Sequence, residues 1–471
     1  MQWHLHQDLV IALRLKREGD TWLAMDEGYI DAARLRRRQD GRPESLEIRS
    51  AFLKDYLAAR TMGLYINSYC SRVEVFETAE QIAWLGELVR HVEGLMLWEG
   101  RTMPIHEGGS QYGSETAMFH MSRTDVDSSE DVPVMSEPTD SNVASRSWVR
   151  RDTRRKVFRV CGELWRSDWV DPGETSVRVR KDEEQSKIAF IIDAEGKTEL
   201  AGQLHDSGRW LWFKPEVIPG LAHRRGGQLS WYTRDTGSVS CSPGSAIHFG
   251  VNEPGLVNVY AEDLAALPEW QQRIWAGHNV LPEGGVSSEL LAAQVDAEPA
   301  ETLAPEAFLE QALELLSDVG REKLGIEILR EHALTHELLK RSHRFRAVDQ
   351  MGMYALAKDI ARLTADNVDG AALQTIVPPP KGERWRSLKS LEKVVARAIG
   401  DESARQGLGA LVAVYQIRHA DSHLPPSDLN EAFALLKVDQ SAPLIHQATQ
   451  MLVAVVASIG TIVDALKQPT T

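Results

Sequence analysis

Apolar and polar positions follow two different periods along this chain, and the change falls near residue 290. Before it the apolar runs are short. KVFRVCGELW, TSVRVR, KIAFIID, RWLWF, QLSWYT, AIHFGV and LVNVYA, punctuated by Gly, Asp and Pro, predict β-strands through 148–292. One helix, near 267–278, is expected to close that region. Closer to the start, EIRSAFLKDYLAAR puts Ile48, Phe52, Leu53, Tyr56 and Leu57 on one helical face, and LYINSY and VEVF read as strand. The polar tract 106–147, with GGSQYGS and TDVDSSEDVPVMSEPTD, is too long for a loop inside a compact domain. It is expected to be a flexible loop or a linker.

After the linker-like QVDAEPAETLAPEA the apolar spacing becomes helical, in seven or eight segments. Phe308, Leu309, Ala312, Leu316 and Val319 line one of them. Leu388, Leu391, Val395 and Ile399 line another, and Leu408, Leu411, Val412, Tyr415 and Ala420 mark a third. The last carries Leu444, Ala448, Met451, Leu452, Val455, Ile459, Ile462 and Val463. It is apolar around much of its circumference, which predicts burial in a bundle core or against a second copy. The expected fold is α+β and multi-domain, with a mixed or β-rich front half and an all-α back. The boundaries read as an α/β domain at 1–105, the tract at 106–147, a β-rich domain at 148–292, a linker at 293–304 and a helical domain at 305–471. A length of 471 residues suits about three domains.

Composition narrows the function classes. The chain is 43% hydrophobic and 26% charged, as ordinary globular proteins are. Its net charge of −15 argues against general affinity for nucleic acid, though not against a local basic site. Cys70, Cys161 and Cys241 are odd in number and far apart, which fits a reducing cytosol better than a disulfide framework. The N-terminal apolar run LVIAL is short for a signal peptide, and the run 451–463 is short for a membrane span. A cytoplasmic protein without a membrane partner is expected. GxGxxG, Walker-type, GxSxG and paired-cysteine motifs are absent from the sequence, which disfavours nucleotide hydrolysis and serine-type catalysis.

The densest chemistry lies at 416–426, QIRHADSHLPP. Pro425 biases Leu424 away from helix, so the helix leading in is expected to end near His423. Basic groups in a last helical turn complement the negative end of the helix dipole, and that alone explains most Arg/His pairs there. Yet arginine and histidine together also suit phosphodiester chemistry without a metal. His419 and His423 would share a helical face, and the dipole would favour a protonated ring, as suits a proton donor. Arg418 and His423 are five residues apart, about 140° around a regular helix. They meet at one phosphate only if the helix frays or a second chain supplies half of the site.

Arg418, four intervening residues and His423 resemble the R-x4–6-H motif of the HEPN superfamily, helical domains of many prokaryotic ribonucleases and toxins. His419 fits that family's preference for a polar residue after the arginine. The upstream SLKSLEKVVARAIG and the long apolar helix behind the motif agree with it. The resemblance covers roughly 306–471 and implies a two-fold homodimer with facing motifs. It also implies RNA cleavage without metal or cofactor, leaving a 2′,3′-cyclic phosphate. Arg418 would stabilise phosphoryl charge, and His423 would act as general base or general acid. His419 would orient the substrate or assist proton transfer, and Asp421 would be a helix-end or interface residue. The substrate would be RNA, tRNA being one candidate. The front half would sense a trigger or bind a neutralising partner, as in abortive-infection defence against phage. The alternative is a non-catalytic interaction module of the same helical type, binding a protein or nucleic acid.

Weaker constellations remain. His332, His336 and Glu337 have the i, i+4 spacing of a metal pair but not the HExxH pattern, and a solvated helix face explains them. The segments 146–159 and 221–234 mix arginine with tryptophan, as nucleic-acid surfaces and ordinary strands both do. Arg384, Arg386, Lys389, Lys393 and Arg397 would form a positive face able to guide RNA, or a plain charged helix face.

Overall fold

The computed structural model describes residues 3–76, 89–93, 96–105, 114–123, 158–182, 186–242, 244–330, 333–419 and 426–468. The chain divides into two compact units, 1–23 with 31–184, and 24–30 with 185–471. The fold is α+β, with sheets in the N-terminal half and helices in the C-terminal half.

The first unit opens with α1 (Gln7–Ala12) and a sheet ordered β1 (Leu15–Glu18), β2 (Thr21–Ala24), β3 (Ile30–Arg37) and β4 (Pro43–Ile48). Helix α2 (Ser50–Arg60) buries Phe52, Tyr56 and Leu57, three of the five positions expected on its apolar face. Ile48 instead ends β4. The long strands β5 (Leu64–Phe76) and β9 (Phe158–Val170) pair antiparallel over their whole length. A third sheet joins β6 (Val89–Glu93), β7 (Met96–Ile105) and β8 (Ser114–Arg123).

Two sequence expectations change here. Strand β8 lies inside the tract read as loop or linker; its Ala117, Phe119 and Met121 recur with the period of two that pairs a strand. The rest of that tract is outside the described residues. TSVRVR, read as a strand, is a turn. Its polar groups bond locally and to α2 instead of to a ladder. Ser176 donates its hydroxyl to the Asp55 carbonyl at 2.7 Å, and Arg178 reaches the Asp55 carboxylate at 2.9 Å.

The second unit contains the ribbon β10 (Ala189–Ile191) and β11 (Thr198–Leu200), and a six-stranded antiparallel sheet. That sheet is built from β12 (Trp210–Phe213), β13 (Gln228–Trp231), β14 (Thr236–Ser240), β15 (Ile247–Val251), β16 (Val257–Tyr260) and β17 (Asn279–Val280), in the order β13-β14-β15-β16-β12-β17. The alternation in WLWF is realised directly: Leu211 and Phe213 are buried, while Trp210 and Trp212 are only partly covered. Helices α3 (Val217–Ala222), α4 (Ala261–Ala265) and α5 (Glu269–Ala276) complete this core, with Trp275 edge-on to Phe213. Helix α6 (Ser288–Gln294) follows.

Nine α-helices follow among the described residues: α7 (Glu306–Val319), α8 (Thr335–Arg341), α9 (Gln350–Leu363), α10 (Gly370–Ile376), α11 (Ser387–Ile399), α12 (Asp401–Gly407), α13 (Gly409–Ile417), α14 (Pro426–Leu435) and α15 (Leu444–Lys467). Helix α15 is the central member and packs against α7, α9, α11, α12 and α13. It is 24 residues long, with a mean hydropathy of 1.7 over its most apolar window, so by length and composition it passes as a membrane span. More than half of that window is buried among the other helices, as expected of the core helix of a globular unit.

Within this unit the sheet core and the helical core meet at the segment RSHRFR, 341–346. Phe345 joins the sheet core and stacks on Trp231. Arg344 is fully buried; its guanidinium grips Glu306 at the start of α7 through two bonds of 2.7 and 2.9 Å. His343 is buried beside it, and burial, with His223 and Arg346 nearby, pushes its imidazole down from 6.5 to about 4. A base depressed by folding binds more protons once unfolded. Its contribution to stability is therefore full above pH 6.5 and is lost as pH falls toward 4. His343→Gln is expected to flatten the fall in melting temperature across that window. An unchanged slope would show that His343 does not govern it.

Candidate active site at the end of helix α13

Helix α13 is strongly apolar and buries Ala410, Leu411, Ala413, Val414 and Ile417. That burial fixes its position, so the polar residues at its end are carried on an anchored element. The helix expected to reach His423 ends at Ile417. The last turn tightens there: the Arg418 N–H still reaches Val414, but the His419 N–H bonds only three residues back, to Gln416. Residues 420–425, which include Asp421 and His423, lie outside the described residues.

Arg418 folds back over this end. Its guanidinium carbon lies 4.0 Å from the centroid of the Tyr415 ring. One terminal nitrogen pairs with the Asp366 carboxylate, and Nε donates to His419 Nε2 at 2.9 Å. An arginine can only donate, so His419 accepts through Nε2 and carries its ring proton on Nδ1. The His419 ring meets Tyr415 edge-on, with centroids 6.0 Å apart. Arg418 is about one-fifth exposed and Asp366 about one-third. The pair is thus within reach of solvent and of a ligand.

Asp366 comes from the turn that follows α9. The turn is closed by its own N–H bonding to Ala361 and by Asn367 N–H bonding to Thr364, each at 2.9 Å. Arg330 clamps it from outside: its backbone N–H bonds the Asn367 carbonyl and its guanidinium the Asp366 carbonyl. An antiparallel bridge joins Leu329 to Val368. Asp366 is therefore held toward Arg418 by a braced turn.

The sequence reading found Arg418 and His419 but missed their partners. Tyr415 entered it only as one of the apolar positions of its helix. Asp366 lies 52 residues upstream in TADNVDG, where nothing distinguishes it from neighbouring aspartates.

The other candidates are more scattered. On α11, Lys389 pairs with Glu392 at 2.7 Å, and Lys393 pairs with Asp401 at 2.6 Å. Arg384, Arg386 and Arg397 are exposed. His336 and Glu337 sit exposed on α8, while His332 is outside the described residues. Of the segment 146–159, only Phe158 and Arg159 are described. In 221–234, Trp231 lies under Arg344, with the guanidinium 4.4 Å from its ring, and Arg234 bonds Asp235 and Glu289. Cys241 is buried, which pushes its thiol up to about 11 and leaves it unreactive near neutral pH.

The chain matches no protein-family model, no curated protein and no solved structure.

Proposed function

We propose that this chain is a metal-independent endoribonuclease of the HEPN type, acting at the end of α13. The observation that carries the reading is the Arg418 guanidinium, held between Tyr415, Asp366 and His419 at the exposed end of a buried helix. A planar cation stacked on Tyr415 and bonded to His419 keeps N–H groups oriented for a phosphoryl oxygen, which takes the place of the Asp366 carboxylate. The ribose 2′-hydroxyl attacks the adjacent phosphorus and the 5′-oxygen leaves, giving a 2′,3′-cyclic phosphate. His423 moves a proton as general base or general acid, and His419 orients the substrate or assists. Because the 2′-hydroxyl is the nucleophile, DNA is not cut. In this proposal two copies pair through the helical domain, the protein works in the cytoplasm, and the front half senses a trigger as part of defence against phage.

The test is incubation of purified protein with total RNA or tRNA in EDTA. Fragments ending in cyclic phosphate, lost in Arg418→Ala and His423→Ala, support the reading. Intact RNA with wild type, in the presence of a cognate trigger, favours the non-catalytic interaction module.

Asp366 gives a prediction of opposite sign. Its carboxylate competes with the substrate phosphate for Arg418. An ion pair this accessible is worth about 1 kcal/mol. Asp366→Asn is therefore expected to raise kcat/KM for RNA about fivefold. A fall in activity would assign Asp366 a positioning role instead.

A further inference from the structure

A second cationic cluster lies in the same unit, where α3, α8, α9 and the segment 341–346 converge. Its centre is Asp359 on α9, about 4% exposed. Three guanidinium groups surround this carboxylate: Arg341 at 3.3 Å, Arg346 at 3.9 Å and Arg362 at 3.9 Å. Only the Arg341 contact is a hydrogen bond. One negative charge therefore faces three positive ones, mostly at ion-pair rather than bonding distance.

The hydrogen-bond inventory at this place is incomplete. The buried Nε–H groups of Arg341 and Arg346 have no acceptor, and neither does one oxygen of Asp359 have a donor. Nδ1 of the buried His343 is likewise unpartnered. Charged donors removed from water without acceptors are unfavourable, and an anion would supply the acceptors that the arginines lack. His223 sits 6.1 Å from His343, ring centre to ring centre. Burial, with the positive charges of Arg346, Lys340 and Arg341, holds its imidazole below the ordinary range. Lys340 is exposed at the edge. Arg224 follows His223 in the chain and is also exposed.

We propose that Arg341, Arg346 and Lys340, with His223 beside them, form a binding site for a phosphate group, supplied by the backbone of single-stranded RNA. The excess of guanidinium donors over the single carboxylate suits a phosphodiester, whose two free oxygens accept in the fork geometry of arginine. Arg341 and Arg346 are each about one-third exposed and Lys340 is exposed, so the cluster is open to solvent. The choice of RNA as the source of the phosphate rests on the nuclease reading; the phosphate site itself does not, because it concerns residues other than Arg418.

The experiment uses the full chain carrying Arg418→Ala, so that cleavage cannot remove the probe. Fluorescence anisotropy follows a labelled RNA of about a dozen nucleotides as salt is raised, with inorganic phosphate and a mononucleotide as competitors. Lys340→Gln and Arg346→Gln are each expected to weaken RNA binding about three- to tenfold and to lower the salt slope by about one. Lys340 is exposed, so its variant keeps the test valid if Arg346→Gln folds poorly. Binding of inorganic phosphate, followed directly by calorimetry and weakened in both variants, but no RNA binding supports the phosphate site and assigns it to a free anion. Parental affinity and salt slope in both variants overturn the proposal, as does failure of both RNA and phosphate to bind.

Discussion

Glu306→Gln is expected to lower the melting temperature by roughly 6–12 °C. Arg344 is fully buried, so water does not solvate its charge. Glu306 binds it through both carboxylate oxygens and also accepts the Arg344 backbone N–H at 3.1 Å. Burial pushes the Glu306 carboxyl up, but the Arg344 charge and its hydrogen bonds pull it further down, so the net position is below the usual range. The carboxylate therefore stays ionised at neutral pH. Removing one partner of such a pair leaves a buried charge uncompensated, which costs about 3–5 kcal/mol. Asp235, 3.5 Å from the far side of the guanidinium, offsets part of this, so about 3 kcal/mol is expected. In a unit of this size each kcal/mol moves the transition by about 2–4 °C.

The double substitution Glu306→Leu with Arg344→Met separates the cost of a broken pair from the worth of the pair itself. It removes both charges and keeps apolar volume against Trp231 and Phe345. Buried pairs replaced in this way are often neutral. The double variant should therefore melt well above the single one. A single variant within about 2 °C of wild type, or a double variant that loses as much as the single, would sink the idea that this pair joins the sheet core to the helical core.

These residues also show what could be read from sequence. WLWF and the α15 pattern were legible because each encodes its burial locally: period two for Leu211 and Phe213, helical spacing for Met451, Val455, Ile459 and Ile462. TSVRVR misled because alternating residues fit a ladder, but equally a turn whose arginines face partners such as Asp55, more than 120 residues upstream. Glu306 with Arg344, and Asp366 with Arg418, are separated by 38 and 52 residues. No periodicity connects them; only the packing of α7, α9 and α13 does. The end of α13 failed for a related reason. Pro425 marks a last permissible helical residue, whereas the helix had already stopped at Ile417, where Arg418 turns toward Asp366.

Arg418→Ala is expected to reduce RNA cleavage by about 10²–10³-fold, the usual loss when one preorganised donor to a developing oxyanion is removed. The loss should appear in kcat more than in KM, because the charge it meets grows only in the transition state. Stability gives the control. The pair with Asp366 is accessible and worth about 1 kcal/mol, so the variant should stay folded. Arg418→Lys distinguishes geometry from charge. A lysine keeps the charge but cannot lie flat on Tyr415 and present a fork of N–H groups beside His419, so it should recover little activity. If the motif acts as a unit, adding His423→Ala to Arg418→Ala should cost almost nothing further. Wild-type cleavage by Arg418→Ala would reduce the end of α13 to a capped helix terminus. Tyr415, Asp366 and His419 would then serve only to neutralise an arginine, and the cleaving groups would have to lie elsewhere in the chain.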